Sequence, residues 1–244
     1  MNTLTVLGSG DPFGAGGRGQ SCALYQDAQG ALLLDCGGGA LAALKRHGLD
    51  PAQIDAVLIS HLHGDHFAGL PFLVLEQRLA KRTRPLVLAG PPDLAARLSK
   101  LLDALYEGAS KKVLGYPLSF VVLQPGSALT VAGRLVRAFA ASHMHPAAGA
   151  LSLRIGPLAW SGDTAWSPEL LSCAEGSVLL LCECTSLEPL ADHLSWSEIR
   201  TRLPLGARRI VLTHAGAEVR NARAEIEANG VLLSDDGTSI DFEP

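Results

Sequence analysis

No run of apolar residues in this 244-residue chain approaches the length of about eighteen needed to cross a membrane. Cysteines are few and odd in number, five at positions 22, 36, 173, 182 and 184, a pattern that speaks against a disulfide framework. Charge is sparse as well. Charged residues make up 18% of the chain and the formal net charge is −4. Paired bases, Lys81-Arg82, Lys111-Lys112 and Arg208-Arg209 among them, read as solvated faces. They do not make the basic stripe that captures long nucleic acid by counterion release. The opening Met1-Asn2-Thr3-Leu4 has neither a basic flank nor a cleavage site, so no secretory leader is expected. Low-complexity tracts, internal sequence repeats and linkers are not apparent. These absences leave one domain over residues 1–244, with an ample core from 48% hydrophobic residues. It is expected in a reducing cytoplasm, with no membrane and no long nucleic acid as partners.

What the chain does have is concentrated in residues 61–66, which read His61-Leu-His63-Gly-Asp65-His66. Three of the chain's eight histidines fall in this one segment, which argues against a solvated His-rich loop of no consequence. Imidazole nitrogens and carboxylate oxygens suit a divalent metal, and a hydrolytic site keeps one coordination position open for water. His61 and His63 can grip one ion while Asp65 and His66 face a second. Such convergence requires a sharp turn, for which Gly64 is the expected source of backbone freedom.

The surrounding pattern predicts alternating strands and helices. Strands are expected at Thr3 to Leu7, Cys22 to Tyr25, Ala31 to Asp35, Ala56 to Ile59 and Leu86 to Leu88. Others are expected at Phe120 to Leu123, Leu135 to Ala140, Leu151 to Ile155, Leu158 to Ser161, Val178 to Cys184, Ile210 to Thr213 and Ser239 to Phe242. Helices are expected over Ala40 to His47, Leu70 to Ala80 and Asp93 to Leu105, with Leu94, Leu98, Leu101 and Leu105 on one face. Ser195-Trp-Ser-Glu198 is a capping box opening a further helix. Periodicity alone gives only a mixed α and β fold.

The H-x-H-x-D-H segment after an apolar strand, followed in order by Ser161-Gly-Asp163-Thr and Leu212-Thr-His214 and preceded by Leu34-Asp35-Cys-Gly, resembles the metallo-β-lactamase superfamily. Glu183 in Leu181-Cys-Glu-Cys-Thr185, with His193 after it, is similar to the Glu and His of the ribonuclease Z and phosphodiesterase branch. Cys182 and Cys184 depart from that branch, where His and Ala flank the Glu. The resemblance implies a four-layer αββα sandwich in the α/β (α+β) class and a binuclear site for two divalent ions. Zinc is the first choice, with manganese or iron compatible.

By the same resemblance the ligands are His61, His63, Asp65, His66, Asp163, bridging the two ions, and His214. The remaining ligand is expected to be His145, with His143 as the alternative; otherwise His143 faces substrate or lines the cleft. Asp35 is expected to steady a ligand His, a turn cap being the other reading. Glu183 is expected to orient His193, which would protonate the leaving oxygen, while Asp65 would orient a metal-bridging hydroxide. His193 could instead simply cap the helix that follows. Arg18, in a Gly-rich opening without the Gly-Lys-Ser/Thr ending of a phosphate loop, could meet an anionic substrate.

Seventeen residues separate His145 from Asp163, leaving no room for the transfer-RNA arm of ribonuclease Z. The expected reaction is therefore hydrolysis of a small anionic phosphodiester, a cyclic nucleotide or cyclic phosphate among them. Thioester, lactone or sulfate-ester hydrolysis and tRNA 3′ processing are the alternatives. A homodimer is a further expectation.

Overall fold

The computed structural model describes residues 1–143 and 149–243. Its strands, in chain order, are β1 (Asn2–Gly8), β2 (Cys22–Asp27), β3 (Gly30–Leu34), β4 (Ile54–Leu58), β5 (Leu86–Gly90), β6 (Leu118–Val122) and β7 (Ala128–Val131). Then follow β8 (Arg134–Ala140), β9 (Leu151–Ile155), β10 (Leu158–Trp160), β11 (Ser177–Glu183), β12 (Ala207–Thr213), β13 (Leu232–Leu233) and β14 (Ser239–Phe242). Among the described residues they form two seven-stranded sheets, ordered β14-β1-β2-β3-β4-β5-β6 and β13-β12-β11-β10-β9-β8-β7. Read from β14, the first sheet has three antiparallel pairings and then three parallel ones. Read from β7, the second sheet has the same sequence of pairings. The amino-acid sequence shows no repeat, yet the pairing plan repeats.

Burial on both faces explains the near-continuous apolar runs of the central strands. In β3, Leu32 and Leu34 enter the core between the sheets, while Ala31 and Leu33 enter the core on the opposite face. In β11, Leu179 and Leu181 face inward and Leu180 and Cys182 outward. Helices cover both outer faces: α1 (Ala40–Arg46), α2 (Gly64–Phe67), α3 (Leu70–Leu79) and α4 (Leu94–Leu105) on the first sheet. On the second lie α5 (Pro168–Ala174), α6 (Trp196–Arg202), α7 (Ala217–Asn221) and α8 (Arg223–Ala228). Three apolar cores between four layers make the αββα sandwich expected from the sequence.

Several details differ from the sequence reading. The buried stripe of α4 is Leu94, Leu98 and Leu102, with Leu105 exposed, so its face is rotated from the expected one. β12 starts at Ala207 and takes in the exposed Arg208 and Arg209. The elements β7, β13, α2, α5, α7 and α8 were not anticipated. No helix among the described residues is long and apolar enough to cross a membrane.

Candidate metal centre

The carboxyl ends of parallel strands, where open α/β sheets bind their ligands, converge here from both sheets. His61 and His63 follow β4, and Asp65 and His66 lie in α2. His143 follows β8, Asp163 follows β10, Glu183 ends β11, His193 precedes α6 and His214 follows β12. Two groups of donor atoms, each within 4.8 Å of one another, are His61, His63 and His143, and Asp65, His66, Asp163 and His214. Asp163 Oδ2 stands between them, 3.2 Å from His66 Nε2, 3.4 Å from His214 Nε2 and 3.9 Å from His61 Nε2. Asp65 Oδ2 is 3.1 Å from His66 Nε2 and 3.3 Å from His214 Nε2.

These residues fit a divalent metal on physical grounds. The buried nitrogens His61 Nε2 and His66 Nε2 find no hydrogen-bond partner among the described residues, a costly state for interior polar atoms unless something else satisfies them. Burial drives the pKa of His61 well below its ordinary value, and the neighbouring His66 adds to this, so the ring keeps its lone pair. Burial opposes charging of His66 too, but Asp163 and Asp35 overcome it and hold its pKa well up. Burial likewise works against the Asp163 carboxylate, and His214 and His66 overcome that, holding its pKa well down.

The rings of the cluster are oriented by two carboxylate-and-hydroxyl pairs. Asp35 Oδ2 accepts Nδ1–H of His66 at 2.5 Å, and the Ser60 hydroxyl donates to the same oxygen at 2.9 Å while lying 3.0 Å from His61 Nδ1. On the other side, Glu183 Oε1 accepts the Thr164 N–H at 2.7 Å and His193 Nδ1–H at 2.9 Å. Its Oε2 accepts the Thr185 hydroxyl at 2.8 Å. Burial works against a charged His193, but the Glu183 hydrogen bond and charge prevail and raise its pKa to about 9. Alternation along β11 explains the flanking cysteines: Cys182 and Cys184 turn into the core under the helices while Glu183 faces the site. Burial pushes both thiols up, which leaves them as packing groups.

His143 belongs to the first of the two donor groups. Its Nδ1 donates to the Asp192 carbonyl at 2.7 Å, which turns Nε2 toward His63 Nδ1 at 3.2 Å. His145 lies outside the described residues. Gly64 does not supply a left-handed turn: it is absent from the glycines of positive φ, opens the one-turn α2, and has room for a Cβ. The positive φ values at the site belong to Asp35 (54°), Gly162 (57°) and His214 (54°). Arg18 is paired with Asp235, at 2.7 Å through Nε, and donates to the Gly16 carbonyl. Ser60, Thr164 and Thr185 escaped the sequence reading; two of them adjoin a recognised residue, His61 or Asp163, which is the only signal they carry.

The profile of the family described as "Anti-Pycsar protein Apyc1" matches residues 2–234. An uncharacterized protein of Mycobacterium tuberculosis is 33% identical over 239 residues, covering 86% of this chain and 80% of its own. Among solved structures, a diphosphatase of the PhnP family superposes with a TM-score of 0.80 at 20% identity, over 100% of this chain and 98% of that one. The short form of human tRNase Z superposes with a TM-score of 0.77 at 22% identity, over 99% and 100% of the two chains. With these similarities in place, the chain belongs to the Apyc1 family and has the metallo-β-lactamase fold.

Proposed function

We propose that the protein is a metal-dependent hydrolase of a small, anionic phosphodiester, a cyclic nucleotide or cyclic phosphate being the substrate class. The observation that carries this reading is the His193–Glu183 pair beside the His/Asp cluster. A pKa of about 9 keeps the His193 proton at neutral pH. Nδ1 is held by Glu183, so the outward proton sits on Nε2, where it can pass to an alkoxide as the phosphorus–oxygen bond breaks. A thiolate leaves without such help, so this pair favours a phosphodiester over a thioester. Asp65, 3.1 Å from His66 Nε2 and 3.3 Å from His214 Nε2, would orient the attacking water.

His61, His63 and His143 would hold one divalent ion, and Asp65, His66 and His214 a second, with Asp163 shared; zinc suits this mixed nitrogen and oxygen donor set. When bound, such a pair lowers the pKa of water and neutralises charge that develops on a phosphoryl oxygen.

The test is His193→Ala, assayed for metal content and for turnover of two diesters. Metal content should stay at the wild-type level. Turnover of an alkyl diester should fall roughly 10²- to 10⁴-fold, the usual range for general acid catalysis. A nitrophenyl diester, whose leaving group needs little protonation, should lose much less. Equal losses would make His193 a phosphate-positioning residue. Turnover of a thioester, lactone, sulfate ester or precursor tRNA, with no small diester cleaved, would replace the proposal.

A further inference from the structure

The geometry points to Thr185 as the positioning residue that fixes the ring of His214 and ties it to the Glu183–His193 pair. A hydroxyl has one proton to give and lone pairs to receive. Thr185 Oγ1 lies 2.8 Å from Glu183 Oε2 and 3.0 Å from His214 Nδ1. The carboxylate can only accept, so the hydroxyl proton goes to Glu183. With its proton committed, Oγ1 can only accept from the ring, which places the N–H of His214 on Nδ1 and the lone pair on Nε2. That lone pair is directed at the space beside Asp65 Oδ2 and Asp163 Oδ2, 3.3 and 3.4 Å away.

The backbone of Thr185 leaves it little choice of position. Its N–H donates to Leu194 O at 3.1 Å and its carbonyl accepts from Gly216 N at 3.2 Å, so it is pinned between the segments carrying His193 and His214. Ser60 has the same relation to Asp35 and His61 on the other sheet. His214 and Glu183 are 2% and 1% exposed, so water offers no ready replacement for a missing hydroxyl. Thr185→Val keeps the shape and leaves the His214 Nδ1–H without a partner.

This role rests on His214 being a ligand, and the test separates the two ideas. Zinc affinity of the full chain is measured by competition with a fluorescent chelator for wild type, Thr185→Val, Thr185→Ser and His214→Ala. Thr185→Val should weaken one zinc equivalent by about 10- to 100-fold, the usual effect of losing a partner that orients a metal-binding His. The other equivalent should keep its wild-type affinity, and Thr185→Ser should restore the first. Wild-type affinity for both equivalents in Thr185→Val, alongside loss of one in His214→Ala, overturns the role of Thr185 alone. Retention of both in His214→Ala instead removes the ligand reading beneath it. Should Thr185→Val not fold, nitrogen-15 NMR of the histidine rings in the zinc-loaded wild type decides: the proton of His214 is expected on Nδ1, and finding it on Nε2 overturns the proposal.

Discussion

His143 and His145 sit two positions apart and predict opposite outcomes. Nε2 of His143 faces His63 while its Nδ1 is tied to Asp192, so His143→Ala should remove about one metal equivalent and reduce turnover severely. His145→Ala should leave metal content near normal; elemental analysis of the two variants decides between them. Spacing along the chain does not make this choice, because either histidine can follow β8 by a short loop. Gly162 is sensitive for a different reason. With φ at +57°, a Cβ there would stand 2.6 Å from the Leu151 carbonyl and 2.9 Å from Ser60 Cβ, so Gly162→Ala both strains the backbone and displaces the turn that carries Asp163. Stability should fall by about 1–3 kcal/mol in urea titrations, with weaker metal retention beside it. Most of the His/Asp cluster was legible because its members come as a compact motif or as an Asp or His ending an apolar strand. The hydroxyls of Ser60 and Thr185 were not, since serine and threonine are common and acquire meaning only from a carboxylate brought near by folding.

Among the elements, α6 shows how a local signal survives into the fold. The Ser195 hydroxyl accepts from Glu198 N at 3.3 Å, and Glu198 Oε2 accepts from Ser195 N at 3.2 Å, as the sequence box implies. Ser195→Ala should therefore cost about 0.5–2 kcal/mol, readable as a lower urea midpoint. The same box steadies His193 two residues earlier, because Trp196 N donates to Ser186 O and so joins this turn to the segment that follows β11. Long strands with two covered faces were legible from their apolar runs to within a few residues. The short pieces were not: β13 is two residues long and α2 is four, lengths at which periodicity carries no information and tertiary contacts decide. The register of α4 was misread because leucines at 94, 98, 101, 102 and 105 offer two overlapping stripes, and only packing selects one.

Across the whole molecule, the two sheets are joined by unlike means at their two ends. At the end away from the His/Asp cluster, Asp27 of β2 meets Arg134 of β8 at 2.6 and 3.0 Å, with both side chains largely buried. Burial raises the Asp27 pKa, but the hydrogen bonding and charge of Arg134 and the backbone N–H groups of Gln29 and Gly30 together outweigh it and leave the value lowered. A carboxyl whose folded pKa is depressed adds stability that is present above its unfolded value, near 4, and is lost as pH falls toward the folded value. Asp27→Asn should thus be less stable than wild type by about 1.5–3 kcal/mol at pH 7, and the gap in urea midpoint should shrink below about pH 4. At the other end, the His/Asp cluster draws residues from both sheets, flanked by the Ala215 N to Ser9 O and Leu151 N to Ser60 O bonds. An ion held at a hundred times its Kd adds about 2.7 kcal/mol, so a chelator should lower the melting temperature by about 5–10 °C. The seven residues of β8 put roughly 20 Å between these two fastenings, and they share no partner. Chelation and Asp27→Asn should then be thermodynamically deaf to each other, their losses summing to within about 0.5 kcal/mol. With metal bound, the molecule would thus have two independent latches, one read by metal supply and the other by acidity.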